Sequence, residues 1–350
     1  MKFYSKLAKD IIPYTAGEQP KDKKYIKLNT NENAYPPTPQ IKEVLRNFEY
    51  QDLLLYPDPD GTELREELAK IKKTSFKNIF LSNGSDEVLS MAIAAFFDED
   101  DTIAYPQITY SFYDVYADYY RLKKIKIALK DYQIDINDYL GLDGKGILLA
   151  NPNAPTGMAL KTQEIEELVK NNKDKIVIVD QAYIAFSQGC SSIELIKEYD
   201  NLLVVETLSK SHSLAGIRLG YAVGNQNLID ALNRIKNSIN SYTVNRLSMA
   251  VALVAVRDGD YYSDITAKIV ATRERVCDAL TNMGLFVLKS SSNFLFIKVK
   301  NACQVYKELK NRGILVRYFD KKGVNDFIRV TIGQDKDMDL FLENLKDILA

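Results

Sequence analysis

The 350-residue sequence has one histidine, three cysteines and no tryptophan. Because His212 is the sole imidazole, a zinc site of several histidines, a two-histidine iron site and a chain of histidine proton relays are excluded. The three cysteines at 190, 277 and 303 are too scattered for a disulfide framework or a C-x-x-C site, so we expect reduced, buried thiols. We expect no metal site. Proton transfer in an enzyme of this composition would depend on lysine, tyrosine, aspartate or a cofactor.

The sequence also lacks an excess of either charge and any long apolar run. It has 46 Lys and Arg residues against 47 Asp and Glu residues, so neither nucleic acid nor an anionic membrane is the expected partner. The opening MKFYSKLAKD has no apolar signal-peptide core, and no later stretch reaches about 18 uninterrupted apolar residues. We therefore expect a cytoplasmic protein.

Short apolar runs alternate with helical patterns between about residues 36 and 250. The helical patterns include 162–170 and 228–239. Continuous β-branched runs are typical of strands buried on both faces of a mainly parallel sheet, which predicts an α/β fold. The strand-like runs are 79–81, 102–105, 125–129, 146–150, 176–180, 202–205 and 219–223.

The last hundred residues have a different pattern, typical of an α+β unit. Its elements are helices over 263–283 and 303–312 and strands over 294–299, 314–317 and 327–331. We therefore predict a large domain over 36–250 and a small C-terminal domain over 251–350. The segment 1–35 is expected to join the small domain or a dimer contact.

Three polar residues follow predicted strands and are expected at one edge of the sheet. Asp180 ends a β-branched strand, Lys210 follows the next strand among hydroxyl residues, and Arg218 lies eight residues beyond it. Ligands of open α/β sheets bind beyond the carboxyl ends of the strands. Each residue alone would more commonly be a surface or structural residue. Together they indicate pyridoxal 5′-phosphate (PLP), since lysine forms its Schiff base, a carboxylate keeps its ring nitrogen protonated, and hydroxyls with arginine bind its phosphate.

Short motifs in a fixed order resemble those of one family. They are IPY at 12–14, LNTNEN at 28–33, YPD at 56–58, NGSDE at 83–87, TY at 109–110, NPNAPTG at 151–157, DQAY at 180–183, SK at 209–210 and RVTIG at 329–333. Their order and spacing resemble the fold-type I PLP-dependent aminotransferases, and most closely the histidinol-phosphate aminotransferase family. The resemblance implies the aspartate-aminotransferase-like fold, with a large PLP domain and a smaller α+β domain.

The resemblance also implies a role for each motif residue at the cofactor ring. Lys210 would bind the cofactor covalently and then carry the proton between the reacting carbons. Asp180 would pair with the ring nitrogen, Tyr183 would bond the phenolic oxygen, and Tyr110 would stack on the ring. An aromatic residue among 22 tyrosines is more commonly a core residue, so Tyr110 depends on its motif alone.

Further roles concern the phosphate and the substrate. Ser85 and Asp86 precede an apolar helix, whose free N–H groups offer an anion site, although an ordinary helix cap explains them equally well. The resemblance completes the cofactor site with Thr207, Ser209, Arg218, Asn153 and, from the other subunit of a homodimer with shared active sites, Tyr56. It assigns the substrate to Tyr14, Asn31, Arg317 and Arg329.

Three positions depart from the family pattern. Ala154 stands where many relatives have an asparagine that bonds the phenolic oxygen, and Asn153 or Asn151 is the expected substitute. Gln181 replaces a common glutamate, and His212 replaces a residue that is often arginine or aromatic. We expect His212 to have a packing role.

The leading hypothesis is transamination between a phosphate-bearing amine or ketone and glutamate or 2-oxoglutarate, with histidinol phosphate as the favoured substrate. Two alternatives within PLP chemistry are transamination of another phosphorylated keto compound, such as a triose phosphate, and decarboxylation of an O-phosphoamino acid. A hypothesis from another class of function is a DNA-binding regulatory module, which would need a winged helix and a basic face. A hydrolase using His212 would need a G-x-S-x-G turn, which is missing.

Overall fold

The computed structural model describes residues 2–350 and contains three sheets. The largest has seven strands in the order β2-β8-β7-β6-β5-β3-β4, parallel except for β8. Its strands are β2 (Ile79–Ser82), β3 (Thr102–Pro106), β4 (Lys123–Ile127), β5 (Gly146–Ala150), β6 (Ile176–Asp180), β7 (Leu202–Thr207) and β8 (Gly220–Gly224). The predicted α/β fold with a mainly parallel central sheet is confirmed.

The central strands β5 to β8 are buried along their whole length, as their continuous apolar sequences predict. Strand β4 differs, because Lys123, Lys124 and Lys126 place it at the sheet edge with its side chains largely accessible. Lysines on an edge strand discourage pairing with another chain. The strand predicted over 125–129 therefore lies two residues earlier and is not buried on both faces.

A four-stranded antiparallel sheet, in the order β12-β13-β10-β9, forms in the C-terminal part. A separate parallel pair joins an N-terminal strand to a C-terminal one, β1 to β11. The strands are β1 (Ile26–Lys27), β9 (Phe286–Val287), β10 (Phe294–Lys298), β11 (Ile314–Leu315), β12 (Arg317–Tyr318) and β13 (Phe327–Thr331). The strand predicted over 314–317 is thus divided between two sheets.

Helices cover both faces of the large sheet. Two apolar clusters lie against these faces, one including Leu68 and Ile165, the other including Leu89 and Ile229. A third cluster packs the four-stranded sheet against its helices. The helices are α1 (Lys6–Asp10), α2 (Ile41–Asn47), α3 (Thr62–Ile71), α4 (Ser85–Phe96), α5 (Phe112–Tyr119), α6 (Thr162–Lys170), α7 (Gln226–Ile239), α8 (Arg246–Arg257), α9 (Gly259–Asn282), α10 (Ala302–Asn311) and α11 (Asp335–Leu349). Along residues 2–350, no helix combines the length and apolarity that a membrane span requires.

Candidate active site

A cavity of about 380 Å³ lies at the carboxyl ends of β5, β6 and β7. Its wall combines residues of the large sheet, the four-stranded sheet and the N-terminal segment. Thirteen of the predicted site residues line it: Tyr14, Asn31, Ser85, Asp86, Tyr110, Asp180, Tyr183, Thr207, Ser209, Lys210, Arg218, Arg317 and Arg329. Residues up to 315 positions apart in the chain thus meet in one cavity, from Tyr14 to Arg329 (329 − 14).

Lys210 lies in the loop after β7 with its amine at the cavity. Its Nζ donates to the carbonyl oxygen of Thr30 at 3.3 Å. The main chain is held separately, because Asn33 Nδ2 donates to the Lys210 carbonyl oxygen at 2.9 Å. The amine therefore has one long hydrogen bond, while the backbone that carries it is fixed.

Asp180 is the last residue of β6 and is only 6% exposed. Its carboxylate accepts from the hydroxyl of Tyr113 at 3.0 Å and from the backbone N–H of Ala182 at 3.1 Å. Burial raises the pKa of Asp180 to about 6, although these two hydrogen bonds act in the opposite direction. A cationic N–H placed against this carboxylate would favour its charged form.

Tyr183 and Asn31 are joined by a hydrogen bond across the cavity wall. Asn31 Nδ2 donates to the Tyr183 hydroxyl at 2.9 Å. Asn31 has a left-handed backbone with φ of 57°, and Thr331 Oγ1 donates to its amide oxygen at 3.1 Å. The N-terminal segment and β13 thus orient the tyrosine hydroxyl.

An anion-binding cup forms where α4 begins at Ser85. The first-turn N–H groups of a helix have no intrahelical acceptor and bear a partial positive charge. Strand β8 passes close by, since a Cβ on Gly220 would lie 2.2 Å from the backbone nitrogen of Ser85. Thr207 Oγ1 donates to Ser209 Oγ at 3.0 Å, which places two hydroxyls beside the cup.

Asp86 is already bonded through its side chain. Its carboxylate accepts from the Tyr110 hydroxyl at 3.0 Å and lies 3.4 Å from Arg218 Nη2. Burial, with the neighbouring Asp86 charge, raises the pKa of Tyr110 well above its usual range. Because a free carboxylate would repel a phosphate, Asp86 can serve an anion only through its backbone N–H.

Arg317 and Arg329 face each other on paired strands β12 and β13. Arg329 Nη2 donates to the Asn29 carbonyl oxygen at 3.2 Å, whereas its Nε is buried with no hydrogen-bond partner in residues 2–350. Arg317 donates to the carbonyl oxygens of Thr15 and Ala16 at 3.1 and 3.3 Å. Both guanidiniums therefore retain donors that an anionic substrate group could take.

Tyr14 joins the aromatic part of the cavity wall. Its ring lies 4.8 Å from that of Phe112 and 6.0 Å from that of Tyr110, measured between centroids. The N-terminal segment thereby reaches the same face of the cavity as α5 does.

Two predicted site residues do not line the cavity. The side chain of Asn153 is bonded within the protein, since its amide donates to Ile108 O and Thr156 Oγ1 and accepts from Thr109 Oγ1. It therefore does not replace the asparagine missing at Ala154, which lines the cavity itself. Tyr56 is 77% exposed and stacks on Tyr242, with ring centroids 4.5 Å apart.

Several residues at this site were not predicted from the sequence. Glu32, Phe319 and Lys321 also line the cavity. Glu32 lies within the LNTNEN motif but received no role, and Phe319 and Lys321 lie outside every motif. Tyr113 was missed although it holds the Asp180 carboxylate. Its role follows from a contact between α5 and the end of β6, which no local sequence pattern marks.

The model of the aminotransferase class I and II family matches residues 23–345. Among curated proteins, the histidinol-phosphate aminotransferase of Brachyspira hyodysenteriae is 53% identical, with 99% of each chain covered. That of Clostridium beijerinckii is 47% identical, covering 100% of this chain and 98% of its own. The crystal structure of the histidinol-phosphate aminotransferase from Sinorhizobium meliloti in complex with pyridoxal-5′-phosphate has a TM-score of 0.90 at 22% identity, covering 99% of each chain.

Proposed function

This chain belongs to the aminotransferase class I and II family, and from that premise we propose that it is a PLP-dependent histidinol-phosphate aminotransferase with glutamate or 2-oxoglutarate as its partner substrate. The observation that carries the proposal is one cavity lined by Lys210, Asp180, Arg317 and Arg329. An amine, a carboxylate and two guanidiniums are what a PLP enzyme needs for a substrate with an anionic group.

The residues present fit PLP in charge and shape. A phosphate fits the cup formed by the start of α4, the hydroxyls of Thr207 and Ser209, and Arg218. The close approach of β8 at Gly220 supports this, since a side chain there would displace the helix start. The buried Asp180 carboxylate, with a pKa raised to about 6, fits a protonated ring nitrogen. Bound PLP supplies an electron-withdrawing ring that stabilises negative charge on the substrate carbon.

We assign the proton transfer of the reaction to the amine of Lys210. Within residues 2–350 its Nζ has a single hydrogen bond, at 3.3 Å to Thr30 O, so the amine is free to move within the cavity while Asn33 holds its backbone. We assign to Nζ the removal of a proton from one carbon and its return to another. No imidazole is needed for this transfer, which agrees with a chain that has a single histidine.

The other residues position the reacting groups. Tyr113 and the N–H of Ala182 hold the Asp180 carboxylate in place. Asn31 orients the Tyr183 hydroxyl, which we assign to the phenolic oxygen of the cofactor. Tyr110 is assigned to the face of the ring.

The two arginines are assigned to the anionic end of each substrate. Arg329 would bind the carboxylate of glutamate or the substrate phosphate, and Arg317 the phosphate, because guanidinium groups match paired oxygen atoms. Tyr14 and Asn31 complete the substrate wall.

We also propose a homodimer in which Tyr56 completes the partner's active site. The support is an exposed apolar run, with Leu53, Leu54, Leu55 and Tyr56 each more than 70% exposed. Contiguous exposed apolar surface of this kind marks protein contacts. The free cysteines agree with a reducing compartment, and we place the enzyme in the cytoplasm.

The substrate is tested by turnover. Purified enzyme with PLP should convert histidinol phosphate and 2-oxoglutarate to glutamate, while unphosphorylated histidinol should be a poor substrate. Release of CO₂ from an O-phosphoamino acid without any need for 2-oxoglutarate would refute the aminotransferase assignment.

Shared active sites are tested with hybrid dimers of Lys210→Ala and Tyr56→Ala subunits. In such a hybrid, the intact lysine of one subunit meets the intact tyrosine of the other. Activity should recover to about half that of the wild type if Tyr56 acts across the interface. If Tyr56 acts within its own subunit, no complete site forms and the hybrid stays inactive.

A further inference from the structure

The four-stranded sheet has two unlike faces. One face is aliphatic, and its Ile297 and Ile328 belong to the apolar cluster that packs the sheet against its helices. The other face is aromatic and cationic. It is directed at the active-site cavity, whose wall includes Arg317, Phe319 and Arg329. The two arginines were given a role above, and the phenylalanine between them in sequence was not.

The register of the strands brings these side chains to one surface. Arg317 of β12 pairs with Arg329 of β13, and Arg329 pairs in turn with Phe296 of β10. Residues directly opposite each other on neighbouring strands project from the same face of a sheet. Phe319 follows Arg317 by two residues and so lies on that face as well, with its ring centre 6.3 Å from that of Phe296. The backbone therefore places two guanidiniums and an aromatic ring side by side.

Phe319 contacts both guanidiniums. The guanidinium carbon of Arg317 lies 5.5 Å from the centre of the Phe319 ring, and that of Arg329 lies 5.4 Å from the same centre. Both distances fall within the ~6 Å over which a cation is attracted to the face of an aromatic ring. Arg329 has a second such contact, at 5.2 Å from the centre of Phe294. Phe319 is therefore a ring that the two substrate-binding cations share.

Neither guanidinium has a protein carboxylate as its partner. In residues 2–350, no carboxylate oxygen lies within 4.0 Å of Arg317 or Arg329. Glu18 of the N-terminal segment is bonded instead to the Lys310 amine and the Tyr306 hydroxyl. Like charges directly opposite each other on paired strands destabilise a sheet. The contacts with Phe319 offset this repulsion and leave the positive charge of both arginines available to a substrate anion.

Core packing alone does not explain the position of Phe319. The core role at this face belongs to Phe327, which is fully buried, stacks on Phe296 with ring centres 4.5 Å apart and lies outside the cavity. Phe319 touches the same Phe296 but is only half-buried, because it also forms part of the cavity wall. Phe296 thus supports the Phe319 ring from the core, and the rest of the ring is free to contact the guanidiniums.

We propose that Phe319 is a positioning residue that determines how strongly the enzyme binds the phosphate of its substrate. This rests on the function proposed above, in which Arg317 and Arg329 bind the anionic ends of the substrates. The ring holds both guanidiniums at the cavity wall by attraction to their charge. A carboxylate in its place would hold them too, but it would compete with the substrate anion for the same N–H donors. Since the ring acts on binding groups, its loss affects substrate affinity and leaves the chemical step unchanged.

The test compares three variants of the PLP-loaded enzyme. Phe319→Leu keeps an apolar side chain but has no aromatic face, so KM for histidinol phosphate should rise about tenfold while kcat stays within about twofold. Phe319→Tyr keeps the ring, and its KM should stay within about twofold of the wild type. The matched control is Phe327→Leu, which removes a ring of the same cluster outside the cavity. It should lower Tm and leave KM unchanged.

Two further measurements show whether Phe319 acts through the arginines. In an Arg317→Met background, Phe319→Leu should raise KM by less than about threefold, because one of the two guanidiniums that the ring holds is gone. Binding of inorganic phosphate, measured by isothermal titration calorimetry with a Kd of about 1 mM for the wild type, should weaken about tenfold in Phe319→Leu. This titration needs no turnover. If no variant and no wild type converts histidinol phosphate, the proposed substrate is wrong and the titration still decides the role of Phe319.

Four outcomes would overturn the proposal. Unchanged KM and phosphate affinity in Phe319→Leu would show that the ring only packs. Equal losses in Phe319→Leu and Phe319→Tyr would show that the shape of the side chain matters and its aromatic face does not. A full tenfold effect in the Arg317→Met background would mean that the ring acts independently of the arginine pair. A fall in kcat at constant KM would place its role in the chemical step.

Discussion

The two main sheets contribute different kinds of residue to the active site. The seven-stranded sheet supplies Asp180 and Thr207 as the last residues of buried parallel strands, with Lys210 in the loop beyond. The four-stranded sheet supplies Arg317 and Arg329 from short antiparallel strands. The lysine and carboxylate assigned to chemistry thus belong to one sheet, and the two arginines assigned to substrate recognition belong to the other.

The difference between the sheets has a physical basis. Asp180 is held by two hydrogen bonds from within the protein and is almost fully buried, so its position is set before any ligand binds. Arg317 donates instead to backbone carbonyls of the N-terminal segment, and a phosphate can exchange for these acceptors. We therefore expect changes on the large sheet to affect kcat and changes on the small sheet to affect KM.

The largest effect is expected for Lys210→Ala. Without its amine the enzyme cannot move the proton, and turnover should fall by roughly 10⁴-fold or more. The near-visible absorbance band of bound PLP should be lost as well. Retention of more than about 1% of wild-type turnover would refute the assignment. Circular dichroism should show an unchanged fold, because the Lys210 side chain makes only one hydrogen bond in the part of the chain that the structure describes.

Asp180→Asn should lower turnover by about 10²- to 10³-fold, because an amide cannot stabilise a protonated ring nitrogen. The free energy of unfolding should change in the opposite direction, because without cofactor the Asp180→Asn protein should be more stable than the wild type at neutral pH. Burial raises the pKa of Asp180 in the folded state to about 6, so the carboxylate destabilises the fold increasingly as pH rises from about 4 to 6.

At pH 7 the Asp180→Asn protein without cofactor should therefore be more stable than the wild type by about 1–3 kcal/mol. Below pH 4 the two should have similar stability. Thermal unfolding at the two pH values measures this, and a variant less stable than the wild type at pH 7 would contradict the role of burial.

Arg317→Met tests whether the four-stranded sheet contributes to substrate recognition. Loss of a charged hydrogen bond of about 1.5–3 kcal/mol should raise KM for histidinol phosphate by about 10- to 100-fold and change kcat little. The matched control is Arg312→Met, an exposed arginine of the same region outside the cavity. An equal loss with unphosphorylated histidinol would show that Arg317 does not recognise phosphate.

The smallest effect on turnover is expected for His212→Phe, within about tenfold of the wild type. Its effect on stability depends on pH. Since burial lowers the folded pKa of His212 from 6.5 to about 3, protonation of the unfolded chain destabilises the wild type as pH falls below about 6.5.

Between pH 7 and 5, the wild type should therefore lose about 1–2 kcal/mol that the His212→Phe protein does not lose. Thermal unfolding at both pH values measures the difference. A thousandfold loss of turnover would instead assign the histidine a catalytic role.

The sequence predicted the large sheet well because β-branched runs are a strong local signal for buried strands. Strands β3, β5 and β6 lie within a residue of their expected ends. The family resemblance was confirmed by the full-length relatives. The proposed domain bounds at 35 and 250 stay a prediction.

What the sequence did not reveal depends on contacts between distant segments. Glu32 and Lys321 line the cavity only because the N-terminal segment and the loop after β12 come together there. Asn153 shows the converse error, since a motif position does not reveal which partners have already taken its amide.

Gly220 has a consequence for how this protein can vary. Its α-carbon faces the backbone of Ser85 so closely that even a methyl group would contact main-chain atoms, which cannot rotate away as a side chain can. Strand β8 can therefore lie this close to α4 only because residue 220 has no side chain. A substitution elsewhere on β8 cannot restore this close approach once position 220 carries a side chain. Variation around the anion-binding cup is left to Thr207, Ser209 and the other side chains, while position 220 is confined to glycine.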